Sequence, residues 1–274
     1  ILCKMLDKRS KILRRLVLEM VKVGGRGHIG PALSLIEILR VLFDSILQYR
    51  PGQPDWSNRD RFILSKGHGC LALYAILADK KFFELSELNR FCLPDSILGG
   101  HPERDKVPGV EASTGALGHG LPIGVGMALS AKIRKQTHKV VVVTGDGEIN
   151  EGSVWEAAMS AAKHQLNNLS ILVDYNKLQS YGPVKEVLNL EPLVDKWKSF
   201  GFEVREVDGH DINAMQSLLE KLPFDSDRPS TIICHTTKGK GFPFAENNPK
   251  WHHKSGLKEA DFKSMYDCLK TENK

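Results

Sequence analysis

The chain alternates between two kinds of hydrophobic pattern. Short apolar runs, Arg61 to Ser65, Val140 to Val143, Leu169 to Val173, Phe202 to Val207 and Thr231 to His235, read as strands. Four consecutive valines with no polar alternation suit a strand buried on both faces of a parallel sheet. Between these runs, Leu71 to Ala78, Ser153 to Ala162, Leu193 to Phe200 and Asn213 to Leu222 read as helices. Ser153 is a good N-cap, with Glu156 three residues on in a capping box. The alternation predicts an α/β fold: one doubly wound, mostly parallel sheet with helices on both faces. Nearer the start, Leu2, Met5, Leu6, Ile12, Leu13, Leu16, Val17, Met20 and Val21 recur at three- and four-residue steps, an amphipathic helix that ends at Gly24-Gly25. A further helix is expected from about Ser34.

The valine strand stops at Thr144-Gly145-Asp146-Gly147. Two glycines permit a tight turn and close backbone approach to a ligand, and the carboxylate between them stands at the strand's carboxyl end, where open α/β sheets put their sites. The run after the next helix ends in Asp174-Tyr175-Asn176. One β-α-β unit therefore brings Asp146 and Asn176 to the same ends of two parallel strands. A carboxylate and an amide oxygen, with a main-chain carbonyl, leave room for phosphate oxygens and a water in the octahedral shell that Mg²⁺ prefers. Gly-Asp-Gly alone occurs in many ordinary turns; the spacer and the terminal Asn are what make it specific.

Composition narrows the possibilities. At 274 residues the chain can bury a large core, and its net charge of +5 comes without a dense Lys/Arg run interleaved with aromatics, which disfavours nucleic acid and leaves an acidic small molecule as the better partner. Cys3, Cys70, Cys92, Cys234 and Cys268 are scattered and form no C-x-x-C, the pattern of free thiols in a reducing cytosol, so a cytoplasmic location is expected. No apolar stretch is long enough to cross a membrane. The first residue is Ile, which leaves a trimmed targeting segment open. The basic amphipathic N-terminus is compatible with a transit peptide or a membrane-surface helix, but Asp7 and Glu19 favour a helix packed on the core.

Histidines recur beside glycines outside regular elements: Gly27-His28-Ile29-Gly30-Pro31, Lys66-Gly67-His68-Gly69 and Gly100-His101-Pro102. One such histidine means little. Three suggest contacts to hydroxyl groups, because imidazole donates or accepts while glycine allows close approach. Glu111 to Met127 is too rich in glycine for an uninterrupted strand or an ordinary helix; a helix start packed on the sheet through Gly124 and Gly126 is one reading. Lys177 to Val187 is expected to be a loop, and Lys238-Gly239-Lys240-Gly241 is a basic loop compatible equally with a solvated turn and a phosphate contact.

GHIGPALS, LSKGHG, GGHPE, PGVEASTGALGHGLPIGVGMA, TGDGEINEG and DYNK follow one another in the order seen in the N-terminal portion of transketolases, and nearly the whole chain resembles that portion. Trp251-His252-His253 resembles the Trp-His-Gly of separately encoded transketolase N-terminal subunits. The resemblance implies that residues 1–274 form a single diphosphate-binding domain for thiamine diphosphate and Mg²⁺, with Ca²⁺ or Mn²⁺ as substitutes. It implies metal ligation by Asp146, Asn176 and the Leu178 carbonyl, and cofactor contacts from His68, Gly115, Leu117, Gly147 and Asn176. It also implies that Glu151 joins a carboxylate network between subunits, and that His28, His101 and His252 face substrate oxygens, with His253 a close second to His252. His119 stands where many transketolases have Gln, and its role stays open.

The implied reaction moves a two-carbon ketol unit from a ketose, phosphorylated or similarly anionic, to an aldose. The implied partner is a separately encoded C-terminal subunit with the pyrimidine-binding domain, in an α2β2 assembly; no segment here resembles that domain. His28-Ile29-Gly30-Pro31-Ala32 departs from the His-Pro-Gly-x-Pro of full-length transketolases, so the donor sugar is left open. A 1-deoxyxylulose-phosphate synthase or keto-acid dehydrogenase relative, and a non-catalytic subunit, are the competing readings; His101 and the Trp-His-His segment weigh against the first two, and the retained metal ligands and histidines against the third.

Overall fold

The valine run lies in the middle of a sheet. The computed structural model describes residues 6–270. Its strands are β1 (Arg26–Gly27), β2 (Arg61–Leu64), β3 (Val140–Gly145), β4 (Leu169–Tyr175), β5 (Glu203–Asp208), β6 (Ser230–His235) and β7 (Lys254–Ser255). Five of them form a wholly parallel sheet in the order β2-β3-β4-β6-β5. The α-helices are α1 (Lys8–Gly24), α2 (Ile29–Leu33), α3 (Ile36–Val41), α4 (Cys70–Asp79), α5 (Gly120–Ile133), α6 (Gly152–Lys163), α7 (Val184–Val187), α8 (Leu193–Ser199), α9 (Ile212–Leu219) and α10 (Glu259–Leu269).

Successive side chains of a strand point to opposite faces. Val141 and Val143 accordingly enter one core, with residues of α1, α3, α4, α9 and α10. Val140 and Val142 enter a second, with residues of α5, α6 and α8. Burial on both faces is what made the run uniformly apolar, and the doubly wound fold with helices on both faces is the expected one.

Several boundaries differ from expectation. A helix begins at Ile29, immediately after His28, rather than near Ser34; Gly30 and Pro31 sit in its first turn, where a missing N–H costs nothing because those groups have no partner in the helix. The expected capping box at Ser153 is not formed. The helix already starts at Gly152, and the Ser153 hydroxyl donates instead to the Gly118 carbonyl at 2.8 Å. Val184–Val187 is a short helix where a loop was expected.

Gly124 makes the close helix–sheet contact predicted for it, since a Cβ there would lie 2.5 Å from Val142 Cγ2; Gly126 faces open space and does not. In α1, capped by Asp7, the residues Leu13, Val17, Met20 and Val21 are buried, but Ile12 is 47% exposed. Leu2, Cys3 and Met5 lie outside the described residues. Cys70, Cys92, Cys234 and Cys268 are free thiols. Among the described residues, no helix is long and apolar enough to cross a membrane.

Nothing in the sequence pattern announced β1 and β7. They form an antiparallel ribbon with Arg26 opposite Ser255 and Gly27 opposite Lys254. Two-residue strands are too short to show a period.

Candidate active site

Four neighbouring parallel strands deliver side chains to one pocket at their carboxyl ends. Lys66 follows β2, Asp146 follows β3, Asn176 follows β4 and Lys238 follows β6, and all four line the cavity. Register explains the pairing of Asp146 with Asn176: Gly145 stands opposite Asp174, so the two β-strands end level with one another. Asp146 accepts from the Gly147 N–H at 2.7 Å and from the Lys177 N–H. The Asn176 side-chain oxygen accepts from the Leu178 N–H at 3.1 Å, and its amide nitrogen donates to Asp174 at 3.3 Å.

Asp174 is a fully buried hub. It accepts from Ser34 Oγ at 2.6 Å, from Thr236 Oγ1 and from the Lys66 ammonium. Burial alone would raise its pKa, but the Lys66 charge and these hydrogen bonds hold it below the usual carboxylate range. Asp146 has no such partner. Burial and the nearby Asp174 charge push it up to about 6, the state of a buried carboxylate that lacks a cation.

The walls carry bare backbone. A Cβ on Gly147 would lie 2.9 Å from Gln179 Cγ, and one on Gly115, whose φ is 144°, would lie 2.9 Å from the His101 ring. Leu117 and Leu178 also line the cavity. Glu148, buried, accepts from the Gly118 and Gly145 N–H groups and from Ser65, tying the Gly115 loop to the Gly-Asp-Gly turn. Glu151 is exposed and does not line the pocket, a position compatible with the contact between subunits expected of it.

The histidines meet on the opposite wall. The His28 ring centroid is 4.7 Å from His253, 5.4 Å from His252, 5.5 Å from His68 and 5.8 Å from His101. His253 is close to His28 without lining the cavity, which His252 does. His119 is exposed, its Nδ1 2.9 Å from the Leu117 carbonyl. Burial first, then neighbouring imidazoles and cations, pushes His28 down to about 4 and His252 to about 3, and also lowers His68 and His101. All four are therefore neutral at pH 7, able to donate and to accept.

That neutrality predicts acid sensitivity. Unfolded imidazoles take up protons near 6.5 whereas His28 and His252 resist to about 4 and 3, so the native state binds fewer protons and stability should fall as pH drops from 6.5 towards 4. Thermal midpoints across that range should fall with acid. An NMR titration in which either ring protonates near 6.5 would overturn the assignment.

Of two buried lysines in the pocket, Lys66 escaped the sequence reading and Lys238 is compatible in sequence equally with a solvated turn and a phosphate contact. Lys238 is buried and donates to the Leu178 carbonyl at 2.7 Å and to His252 Nδ1 at 2.8 Å. Its pKa is lowered to about 8 by burial and by Lys66. Its loop is braced from behind. Arg14 pairs with Glu37 at 2.6 Å, Glu37 with His210 Nδ1 at 2.8 Å, and His210 Nε2 accepts from the Thr237 N–H at 2.8 Å. Charged side chains read as surface unless paired; the available signal was position, since each lysine follows a parallel strand as Asp146 does.

The family described as "Transketolase, thiamine diphosphate binding domain" matches residues 6–273. The chain belongs to the transketolase family. Among its transketolase relatives it is 45% identical over 251 residues to a protein from Actinobacillus succinogenes named as an apulose-4-phosphate transketolase subunit, covering 91% of this chain and 90% of that one. It is 39% identical over 248 residues to 6-deoxy-6-sulfo-D-fructose transketolase subunit SqwG from a Clostridium species, covering 90% of each. A Pichia stipitis transketolase solved in complex with sedoheptulose 7-phosphate superposes with a TM-score of 0.90 at 31% identity, over 96% of this chain and 40% of that chain. Campylobacter jejuni transketolase gives 0.88 at 33% identity, over 96% and 42%. The chain thus spans about two fifths of these solved transketolases.

The transketolase site is chemically suited to a divalent cation with a diphosphate. Asp146 is a buried carboxylate without a counter-cation, Asn176 offers an amide oxygen, and Gly147 offers backbone that a side chain would obstruct. Among the described residues no group of three His, Cys, Asp or Glu could hold a metal, so a cation here would draw its other ligands from carbonyl, water and diphosphate oxygens. The Leu178 carbonyl already accepts from Lys238, and its second lone pair is left for a cation.

Proposed function

We propose that residues 1–274 form the diphosphate-binding subunit of a two-subunit transketolase, which transfers a two-carbon ketol unit from an anionic ketose to an aldose. The observation that carries this reading is the facing of Asp146 and Asn176 by four neutral histidines across one pocket. Asp146, Asn176 and the Leu178 carbonyl would hold Mg²⁺. Lys238 would hold the diphosphate, with the Gly147 N–H shared between the diphosphate and Asp146, and with Gly115, Leu117 and His68 against the rest of the cofactor. When bound, thiamine diphosphate supplies the carbon nucleophile that allows cleavage beside a ketose carbonyl.

The chain's own residues bind and move protons. Lys238 donates to His252 Nδ1, which leaves His252 carrying its hydrogen on Nε2 as the donor it can offer a substrate oxygen. His28 and His101, also neutral, can each donate to a developing alkoxide or accept a hydroxyl proton. The cavity, about 260 Å³, is smaller than sites for cofactor-sized ligands, which supports a cofactor extending towards a partner subunit in an α2β2 assembly. A cytoplasmic site of action accords with the free thiols.

His101→Ala in the assembled enzyme should lower kcat/KM for ketose transfer by roughly ten- to a thousandfold, the scale of one positioned transition-state hydrogen bond or proton donor. Cofactor affinity should change little by comparison. Unaltered kinetics in that variant would put His101 outside the reaction.

A further inference from the structure

Arg26 stands at the edge of the histidine wall. Gly27, its neighbour in the ribbon, faces the core, since a Cβ there would lie 2.9 Å from Leu71 Cδ1 and 3.3 Å from Val21 Cγ2. Side chains alternate along an extended segment, so residues 26 and 28 face the other way. That is the side on which the His28 ring meets His252 and His253. Burial is the main reason that His28 and His101 hold protons weakly, and the Arg26 charge adds to it on both; it also opposes the burial-driven rise of the Cys92 thiol. Arg26 does not line the cavity itself; it lies beside the rim, on the His28 side, with its charge acting on groups of three separate segments.

Its charge is uncommitted. Lys66 is paired with Asp174, and Lys238 is held by the Leu178 and Gln179 carbonyls and His252. Arg26 is exposed, and among the described residues no ion pair or side-chain hydrogen bond engages it. A planar fork of donors with no protein acceptor, on the same side of its segment as the His28 ring, is suited to a tetrahedral oxyanion. Two relatives are named for sugars that carry such a group, one a phosphate and the other a sulfonate.

We propose that Arg26 is a specificity-determining residue, donating from its guanidinium to the tetrahedral oxyanion at the far end of the sugar that the histidines hold. The proposal rests on the ketol-transfer reading above. A hydrogen bond to a charged group is worth roughly a tenfold to hundredfold preference over a neutral analogue.

The test is a ratio. In the assembled enzyme, kcat/KM is measured for D-ribose 5-phosphate against D-ribose as acceptors, and for 6-deoxy-6-sulfo-D-fructose against D-fructose as donors. Arg26→Gln should reduce the anionic-to-neutral ratio by about tenfold to a hundredfold in at least one pair, mainly through KM, and Arg26→Lys should restore part of it. The affected pair identifies phosphate or sulfonate as the group recognised. A ratio that stays constant in both pairs, whether the rates hold or fall together, overturns the proposal, because a merely structural role in the ribbon would affect charged and neutral sugars alike.

If the wild-type assembly transfers no ketol unit, the functional reading fails separately, and calorimetry decides the arginine. A loss of tenfold or more in D-ribose 5-phosphate affinity on Arg26→Gln supports it, and unchanged affinity refutes it.

Discussion

Asp146→Ala is expected to abolish metal-dependent thiamine diphosphate binding in the assembled enzyme while the chain stays folded. The carboxylate faces a cavity at the end of an interior strand, where burial and Asp174 disfavour its charge and Lys66, paired with Asp174, offsets that only in part. A divalent cation would relieve that cost and cancel the charge of a diphosphate. Changes beside a metal ligand commonly cost ten- to a hundredfold in affinity, so loss of the ligand should cost on the order of a hundredfold or more. The fold should survive, because burial and Asp174 disfavour this charge by more than its two backbone hydrogen bonds favour it, so its removal takes away a net destabilising group. Calorimetry giving equal cofactor affinity for variant and wild type would sink the assignment.

The second large effect concerns the partner. Relatives named as transketolase subunits match this chain over most of their length, whereas it spans two fifths of the solved transketolases. The isolated 274-residue chain should therefore show negligible ketol transfer, and addition of the partner should restore both turnover and tight cofactor binding. Titration of the partner against a fixed amount of chain provides the measurement. Vigorous transfer by the chain alone, with contaminating enzyme excluded, would refute the two-subunit reading.

The strands and the two oxygen donors were legible because burial on both faces demands uniform apolar runs, and because β-α-β geometry brings successive strand ends together. The histidines were legible through their glycine neighbours. Lys66 and Asp174 were not, and Lys238 only as one of two alternatives, since a charged side chain is recognised as interior only when its partners are known, and Asp174 has its partners on four separate segments. Glu148 was overlooked because two glutamates of one turn look alike until the turn decides which faces inward; Glu151, the outward one, stays available for the contact between subunits expected of it. Ser153 failed as a cap because the helix starts one residue before it, which puts Ser153 inside the first turn, where its hydroxyl donates to the Gly118 carbonyl.

The ribbon of β1 and β7 bears on the order in which the molecule assembles. Its two strands are separated by most of the chain, so closing it comes late in entropic terms, after the parallel sheet has every strand it needs. A nascent chain can thus hold Asp146 and Asn176 in register before His28 has met His252. Fraying of the segment from Pro249 to Leu269 would open the histidine side of the pocket in the same way, while the Asp146 and Asn176 side stays anchored on interior strands.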